Sequence, residues 1–286
     1  MSNISDAAPW FPPAAARVVL LGASNLTLGL PTILEAIGKL FAGPIEILGA
    51  LGYGRSYGKK ARILWWRFPG IEECGIWKIL EAAPPRPTFA LVTDVGNDIG
   101  YGVEVPQILA WVRASLERLV AVESRTLMTL LPVESLGALS PWKYRLFRRL
   151  LFPSCQLPQG EVLQRARELN ESLRNLGRAT GAAVVEPERR WYGLDPIHIR
   201  RSLRREAWRS ILERWVEPRW LGGRWTEAAL PFEGRLPPAQ PRAAGLSIGW
   251  TAAQLLRPEI WWRFGRERRT PQPCRAFGDG TTLALY

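Results

Sequence analysis

The segment ARVVLLGASN, residues 16–25, gives the clearest indication of the fold class. Its first seven residues are mostly apolar and do not alternate with polar ones, which is typical of a strand buried on both faces. Ser24 and Asn25 follow directly. Residues 26–41 then place Ile33, Ile37 and Leu40 on one face of a helix. A buried strand that runs straight into an amphipathic helix indicates an α/β protein with a parallel sheet.

The same alternation continues along the chain. We predict further strands at 44–51, 88–95, 126–133 and 182–186, and helices at 56–82, with a break near Pro69, at 104–122, 140–152, 160–177 and 199–217. The expected domains are a short tail over 1–15, an α/β domain over 16–217, and a C-terminal extension over 218–286 that is rich in Arg, Trp and Pro.

Composition excludes several classes of protein. The chain has 286 residues and a net charge of +12, but only three cysteines and one histidine. A disulfide scaffold and a histidine-rich metal site are therefore excluded. A cysteine-only zinc site is not expected either, because the sequence contains no CxxC pair. The opening MSNISDAAPWFPP has an acid and prolines where a signal peptide would carry positive charge. We expect a cytoplasmic protein, peripheral to the membrane if the basic, Trp-rich segments contact lipid.

Residues that can contribute to a catalytic site follow four of the predicted strands. Ser24 follows the first strand and Gly54 the second, whereas Asn97 follows the third. Asp195 and His198 lie three residues apart after the fifth. Because the carboxyl ends of parallel strands form one edge of a sheet, these residues are expected to converge.

Together these residues would supply a nucleophile, oxyanion donors and an oriented base. Each also has a purely structural reading, such as a helix-capping serine, a glycine turn or an Asn/Asp turn. If the protein uses a serine–histidine mechanism, His198 must be the base, because the chain has no other histidine.

The four segments resemble the conserved blocks of the SGNH hydrolases, also called the GDSL esterase/lipase family. Ser24 matches the nucleophile, and Asp195 and His198 match the Asp-x-x-His block. Asn97 and Gly54 match the oxyanion residues, with Gly52 as the alternative to Gly54. The resemblance spans residues 16–215. It implies a flavodoxin-like three-layer α/β/α sandwich with a five-stranded parallel sheet, a Ser-His-Asp triad, and no cofactor or metal.

The chain departs from the family pattern at two positions. Ala23 stands where an aspartate usually precedes the serine, and Val95 stands where a glycine usually opens the third block. Neither change removes a catalytic group, but both point to a divergent branch. The resemblance therefore does not decide which reaction the protein catalyses. Esterase, thioesterase, lipase, carbohydrate O-deacetylase and acyltransferase activities all remain open.

Two residues are candidate substrate contacts. Arg55 adjoins Gly54 and could favour an anionic substrate, and Trp142 lies on the basic amphipathic helix 140–152, which could form a lid or contact lipid. The expected partner is a small-molecule, lipid or carbohydrate ester, and no specific nucleic acid is expected. Two other classes remain open, a non-catalytic binding protein of the same fold and a basic membrane or nucleic-acid adaptor.

Overall fold

The structure is a computed structural model that describes residues 14–63, 66–216, 246, 248, 249 and 256–286. Its strands are β1 (Ala16–Leu21), β2 (Ile45–Ala50), β3 (Ala61–Ile63), β4 (Trp66–Phe68), β5 (Thr88–Val92), β6 (Arg125–Thr129), β7 (Ala183–Val185), β8 (Ile260–Arg263), β9 (Arg266–Arg269), β10 (Arg275–Ala276) and β11 (Thr282–Leu285). Its α-helices are α1 (Ser24–Leu40), α2 (Ile76–Ala82), α3 (Asn97–Gly100), α4 (Val105–Ala121), α5 (Val133–Gly137), α6 (Pro141–Leu151), α7 (Gln159–Thr180) and α8 (Arg204–Leu212).

A seven-stranded sheet forms the centre of the molecule, in the order β10-β11-β2-β1-β5-β6-β7. All of its strand pairs are parallel except β10 with β11. β1 is buried along its whole length because β2 and β5 pair with its two edges and helices cover both faces. The α/β class predicted from the sequence and the five predicted parallel strands are confirmed.

Two hydrophobic layers cover the faces of this sheet. On one face Val18 and Leu20 pack with the apolar sides of α1 and α8. On the other face Val19 and Leu21 pack with α2, α4 and α7. The alternation of β1 side chains between the two clusters produces the predicted three-layer sandwich. None of the helices in the described ranges has the length and apolarity needed to cross a membrane.

The predicted helix over 56–82 is wrong in its first half. β3 and β4 form an antiparallel hairpin there, and β4 also pairs with β8, where Arg67 lies opposite Trp262. A short apolar run does not distinguish strand from helix by its periodicity. The partner strand, nearly 200 residues further along the chain, decides the outcome, and only α2 remains helical.

The end of the C-terminal extension joins the central sheet. β11 pairs in parallel with β2, so that Leu283 lies opposite Ile47 and Leu285 opposite Gly49. Leu283 is fully buried. The sheet therefore has two more strands than the five predicted, and both come from a segment for which the sequence analysis named no element. Most of residues 218–255 lie outside the described residues.

Gly29 allows a close contact between α1 and α8, which lie on the same face of the sheet. A Cβ built on Gly29 of α1 would lie 2.1 Å from the indole nitrogen of Trp208 on α8, a residue that is 1% exposed. Since α8 follows the loop that carries His198, this contact also fixes where that loop rejoins the core.

We predict that Gly29→Ala lowers the free energy of unfolding by about 1–3 kcal/mol, because the added methyl overpacks the Trp208 contact. Gly160 in α7 is the matched control, since a Cβ there meets nothing within 4 Å. Gly160→Ala should leave stability unchanged or raise it by up to ~1 kcal/mol. Urea unfolding of both variants tests this, and equal midpoints would contradict the packing account.

Candidate active site

Ser24 is the first residue of α1, at the carboxyl end of β1. Its side chain lies near the surface, and the residue is 8% exposed. In the part of the chain that the structure describes, the Ser24 backbone N–H has no hydrogen-bond acceptor. A free N–H at a helix N-terminus carries partial positive charge, so this position favours an anionic oxygen beside the Ser24 hydroxyl.

Ser24, His198 and Asp195 form one chain of hydrogen bonds. His198 Nε2 lies 2.8 Å from Ser24 Oγ, and His198 Nδ1 lies 2.7 Å from Asp195 Oδ2. With the ring proton on Nδ1, His198 donates to Asp195 while Nε2 accepts from the serine hydroxyl. The structure thus brings together the three residues predicted from the sequence, although Ser24 and His198 are 174 residues apart in the chain.

Asp195 is held as the charged partner of this chain. Its Oδ1 accepts the backbone N–H groups of Ile197 and His198, at 3.1 and 3.2 Å. Burial raises the pKa of Asp195, but the hydrogen bond and charge of the His198 ring and the two backbone N–H groups together more than offset it, so this pKa lies below its ordinary value. A carboxylate that stays ionised can orient the imidazole and stabilise its protonated form.

Asp94 organises the turn that presents Ser24, a role that the sequence analysis left unassigned. Its Oδ2 accepts the backbone N–H groups of Ala23, Asn25 and Leu26, at 2.9, 3.0 and 3.2 Å. No side chain of the turn itself caps α1, so this carboxylate from the end of β5 provides the cap. The Asp94 backbone has a φ of +59°, a conformation that costs energy for any residue except glycine.

Asn25 connects this turn to the loop that carries His198. Its Nδ2 donates to Asp94 Oδ1 and to the Ile197 carbonyl, both at 2.8 Å. Its Oδ1 accepts the Ile199 N–H, also at 2.8 Å. Asn25 therefore holds the backbone on both sides of His198, and it sets the separation of the serine and the histidine.

Asn97 and Gly54 lie in neighbouring loops. Asn97 begins α3 and is 8% exposed. Within the described ranges its Nδ2 makes a single long contact of 3.5 Å, to the Arg55 carbonyl. Gly54 has a φ of +59°, and its N–H has no acceptor among the described residues. The loops therefore leave two donors available near each other, but their role as oxyanion donors stays a prediction.

Asp98 fixes these two loops against each other. It is fully buried, it accepts the Ser56 hydroxyl, and its Oδ2 accepts the Tyr57 N–H at 2.9 Å. Burial raises the pKa of Asp98 to about 6, against the hydrogen bonds from Ser56 and Tyr57 that lower it. Asp98 is the residue after Asn97, so the carboxylate ties the asparagine to the loop of Gly54.

A cavity opens at Ser24 and Asn97 and extends beneath α6. Its wall is mostly apolar and comes from the ends of β5 and β6, from α5 and α6, and from the loop before α8; the residues include Leu130, Leu136, Leu139, Phe147, Leu151, Phe152, Trp191 and Ile197. An apolar cavity with a few polar groups at one end is typical of a site for a small ligand. Within the described ranges no cluster of three or more His, Cys, Asp and Glu side chains could hold a metal.

Two predicted substrate contacts are corrected by the structure. Arg55 is fully buried, and its guanidinium donates to the backbone carbonyls of Leu51, Pro69 and Tyr286, so it braces the core and is closed to a substrate. Trp142 is 58% exposed and is not part of the cavity wall. The spacing of α6 explains this, because Tyr144, Phe147 and Leu151 occupy its inner face instead.

The sequence gives only a partial indication that Asp94 and Asn25 position the site. Asp94 lies at the end of a predicted strand, three residues before Asn97, and Asn25 follows the candidate nucleophile. Their roles depend on the positive φ at Asp94 and on contacts that span 69 and 172 residues. Neither is visible in the local pattern.

We predict that Asp94→Gly destabilises the site, because it removes the carboxylate while permitting the positive φ. The free energy of unfolding should fall by about 2 kcal/mol, as for lost helix caps. Because the turn of Ser24 loosens, kcat for any Ser24-dependent reaction should fall while KM changes little. Asp94→Asn, which retains one acceptor oxygen, should recover part of the kcat.

Glu123 provides the matched control, since it is an exposed acidic residue with a φ of +55°. Glu123→Gly should leave kcat unchanged. Equal kcat values for Asp94→Gly and the native protein would show that the carboxylate does not position the serine.

Solved structures share this fold. One of them aligns with 73% of this chain and 100% of its own length, with a TM-score of 0.50 and 12% identity. An aryl esterase from M. smegmatis aligns with 70% of this chain and 98% of its own, with a TM-score of 0.46 and 12% identity. The psychrotrophic esterase EstA from Pseudoalteromonas sp. aligns with 72% and 99%, with a TM-score of 0.43 and 11% identity.

No family model and no curated protein matches the chain. At these identities the likeness to solved structures concerns the fold alone. The α/β fold that the resemblance to the SGNH hydrolases implies is thus confirmed.

Proposed function

We propose that the protein is a serine hydrolase of the SGNH type that cleaves a carboxylic ester or thioester through an acyl-enzyme intermediate. One observation carries this proposal: Ser24, which lines an apolar cavity, begins a continuous hydrogen-bonded chain that runs through His198 to Asp195. A serine that only capped a helix would have no need of an oriented imidazole. The activities of the aryl esterase and EstA agree with the proposal but do not carry it.

The acylation step follows from the geometry. His198 Nε2 takes the proton of the Ser24 hydroxyl as Oγ attacks the carbonyl carbon of the substrate. Asp195 keeps the imidazole in the tautomer that can accept this proton, and it stabilises the imidazolium that forms. The imidazolium then gives the proton to the leaving alcohol or thiol, which leaves an acyl group on Ser24.

The negative charge of the tetrahedral intermediate needs donors that are already in place. The Ser24 N–H lies at the N-terminus of α1, where the helix dipole favours an anion. The Asn97 amide and the Gly54 N–H are the further donors in this proposal. Preorganised donors of this kind contribute because they need not reorient when the charge develops.

Water then repeats the sequence on the acyl-enzyme. His198 removes a proton from the water, the hydroxide attacks the acyl carbon, and the proton passes to Ser24 Oγ as the acid leaves. The apolar wall of the cavity suits an apolar acyl or aryl group, because burial of such a group gains about 25 cal/mol per Å².

We predict that Ser24→Ala and His198→Ala each lower kcat for p-nitrophenyl esters by a factor on the order of 10⁶. Asp195→Asn should lower it by about 10⁴-fold, because the amide no longer selects the productive tautomer of His198. The assay is run from acetate to long acyl chains, so that the profile of kcat/KM also reports the length of chain that the cavity accepts.

Ser154→Ala is the matched control for the serine, since Ser154 is exposed and lies outside the hydrogen-bonded chain. Its kcat should equal that of the native protein. Turnover that survives in Ser24→Ala would contradict the proposal. A lack of turnover on every ester in the series would favour the non-catalytic binding protein of the same fold.

The oxyanion donor can be tested separately. We predict that Asn97→Ala lowers kcat by about 10²–10³-fold with little change in KM, because the lost bond forms fully only in the transition state. Asn175→Ala, an exposed asparagine of α7, is the control and should keep full activity. A loss confined to KM would show that Asn97 binds substrate and does not stabilise the oxyanion.

A further inference from the structure

Helix α6 carries an exposed apolar stripe. Trp142, Leu146 and Leu150 are 58, 48 and 67% exposed, and they follow one another at intervals of four residues. Residues at this spacing lie on one face of a helix. Seven large apolar side chains are exposed among the residues whose burial the structure describes, and three of them lie on this one helix.

Positive charge flanks the stripe on both sides. Arg145 and Arg149 lie along one edge, Lys143 lies along the other, and the Lys143 ammonium sits 5.6 Å from the centre of the Trp142 ring. The helix contains no acidic residue. Among the residues that the structure describes, these three basic side chains form no ion pair.

The opposite face of α6 is part of the cavity that leads to Ser24. Tyr144, Phe147 and Leu151 lie in its wall. The Tyr144 hydroxyl also donates to the Leu157 carbonyl at 2.7 Å, which fixes the helix to the chain beyond its C-terminus. One face of the helix thus borders the proposed substrate site, while the other presents apolar and basic groups to the surroundings.

We propose that α6 docks the protein on an anionic lipid surface. Trp142, Leu146 and Leu150 enter the boundary between head groups and acyl chains, and Lys143, Arg145 and Arg149 contact the lipid phosphates. This is the pattern of an interfacial amphipathic helix, in which an apolar face lies between basic residues. The docking does not depend on the chemistry at Ser24; only the delivery of a lipid ester into the cavity rests on the proposed function.

The surface chemistry favours lipid over the other occupants. A second copy of this chain would place a helix of charge +4 against another of charge +4, on molecules that each carry +12. A nucleic acid would use the charge but would leave the three apolar side chains exposed to water. An anionic bilayer satisfies both the charge and the apolar stripe.

Sedimentation with vesicles tests the proposal, since the 14 tryptophans of the chain obscure a fluorescence signal from Trp142. The native protein should pellet with vesicles that contain phosphatidylglycerol and not with phosphatidylcholine alone. The triple variant Lys143→Gln, Arg145→Gln, Arg149→Gln should bind about 100-fold less tightly, because each basic residue near an anionic surface contributes roughly a fivefold factor. The variant Trp142→Ser, Leu146→Ser, Leu150→Ser should lose binding to a similar extent.

Matched control variants distinguish the contribution of α6 to vesicle binding from that of the net charge of the protein. Arg178→Gln, Arg205→Gln, Arg268→Gln removes three exposed arginines elsewhere, and Ile79→Ser, Val120→Ser removes two exposed apolar residues of other helices. Both controls should bind within a few-fold of native, apart from the small loss that a lower net charge causes. Circular dichroism confirms that each variant is folded.

Three outcomes would overturn the proposal. These are no binding of the native protein to anionic vesicles, an equal loss in the control arginine variant, and binding that survives in the apolar-stripe variant. Ser24→Ala should pellet like the native protein. Failure of docking with intact ester turnover therefore refutes only the docking surface, and docking without turnover refutes only the hydrolase.

Discussion

The carboxylate of Asp94 is the constraint on which the site depends. It accepts three backbone N–H groups at the start of α1, and so it satisfies donors that a helix N-terminus leaves unpaired. The Ser24 N–H is left out of this set and has no acceptor among the described residues. The strained φ of Asp94 is tolerated because the carboxylate in that conformation reaches the turn.

Asn25 extends the same constraint to the histidine. Through its amide, one side chain joins the carboxylate of β5, the turn after β1 and the loop after β7. The ends of β1 and β5, which are neighbours in the sheet, are therefore tied to the loop after β7, two strands further along. The hydrogen bond between Ser24 and His198 results from that arrangement. The departure from the family pattern at Ala23 is consistent with a turn that is held from outside, by Asp94.

The helix over the cavity links this chemistry to the surroundings of the protein. α6 comes after β6 and the short helix α5, and chain topology places it at the carboxyl edge of the sheet, beside the cavity. Its inner face makes the cavity apolar, and its outer face carries the stripe of Trp142, Leu146 and Leu150. Trp142 was expected to contact the substrate, but it lies on the outer face, outside the wall of the cavity.

The sequence predicts the parts of the molecule that are local. Five buried strands and the residues that follow them are visible as apolar runs and polar ends, and Ser24, Asn97, Asp195 and His198 were selected on that basis. The sequence does not reveal β3 and β4, whose strand conformation depends on pairing with β8, nor β11, which joins β2 from the far end of the chain. Asp94 and Asn25 were missed for the same reason, because their bonds span 68 residues or more.

Labelling with a fluorophosphonate, followed by peptide mass spectrometry, tests whether Ser24 is the nucleophile. We predict one phosphonyl adduct per chain, on Ser24 within the tryptic peptide 18–39, and no adduct in His198→Ala or in the unfolded protein. An adduct on another serine, or a folded protein that is not labelled, would contradict it.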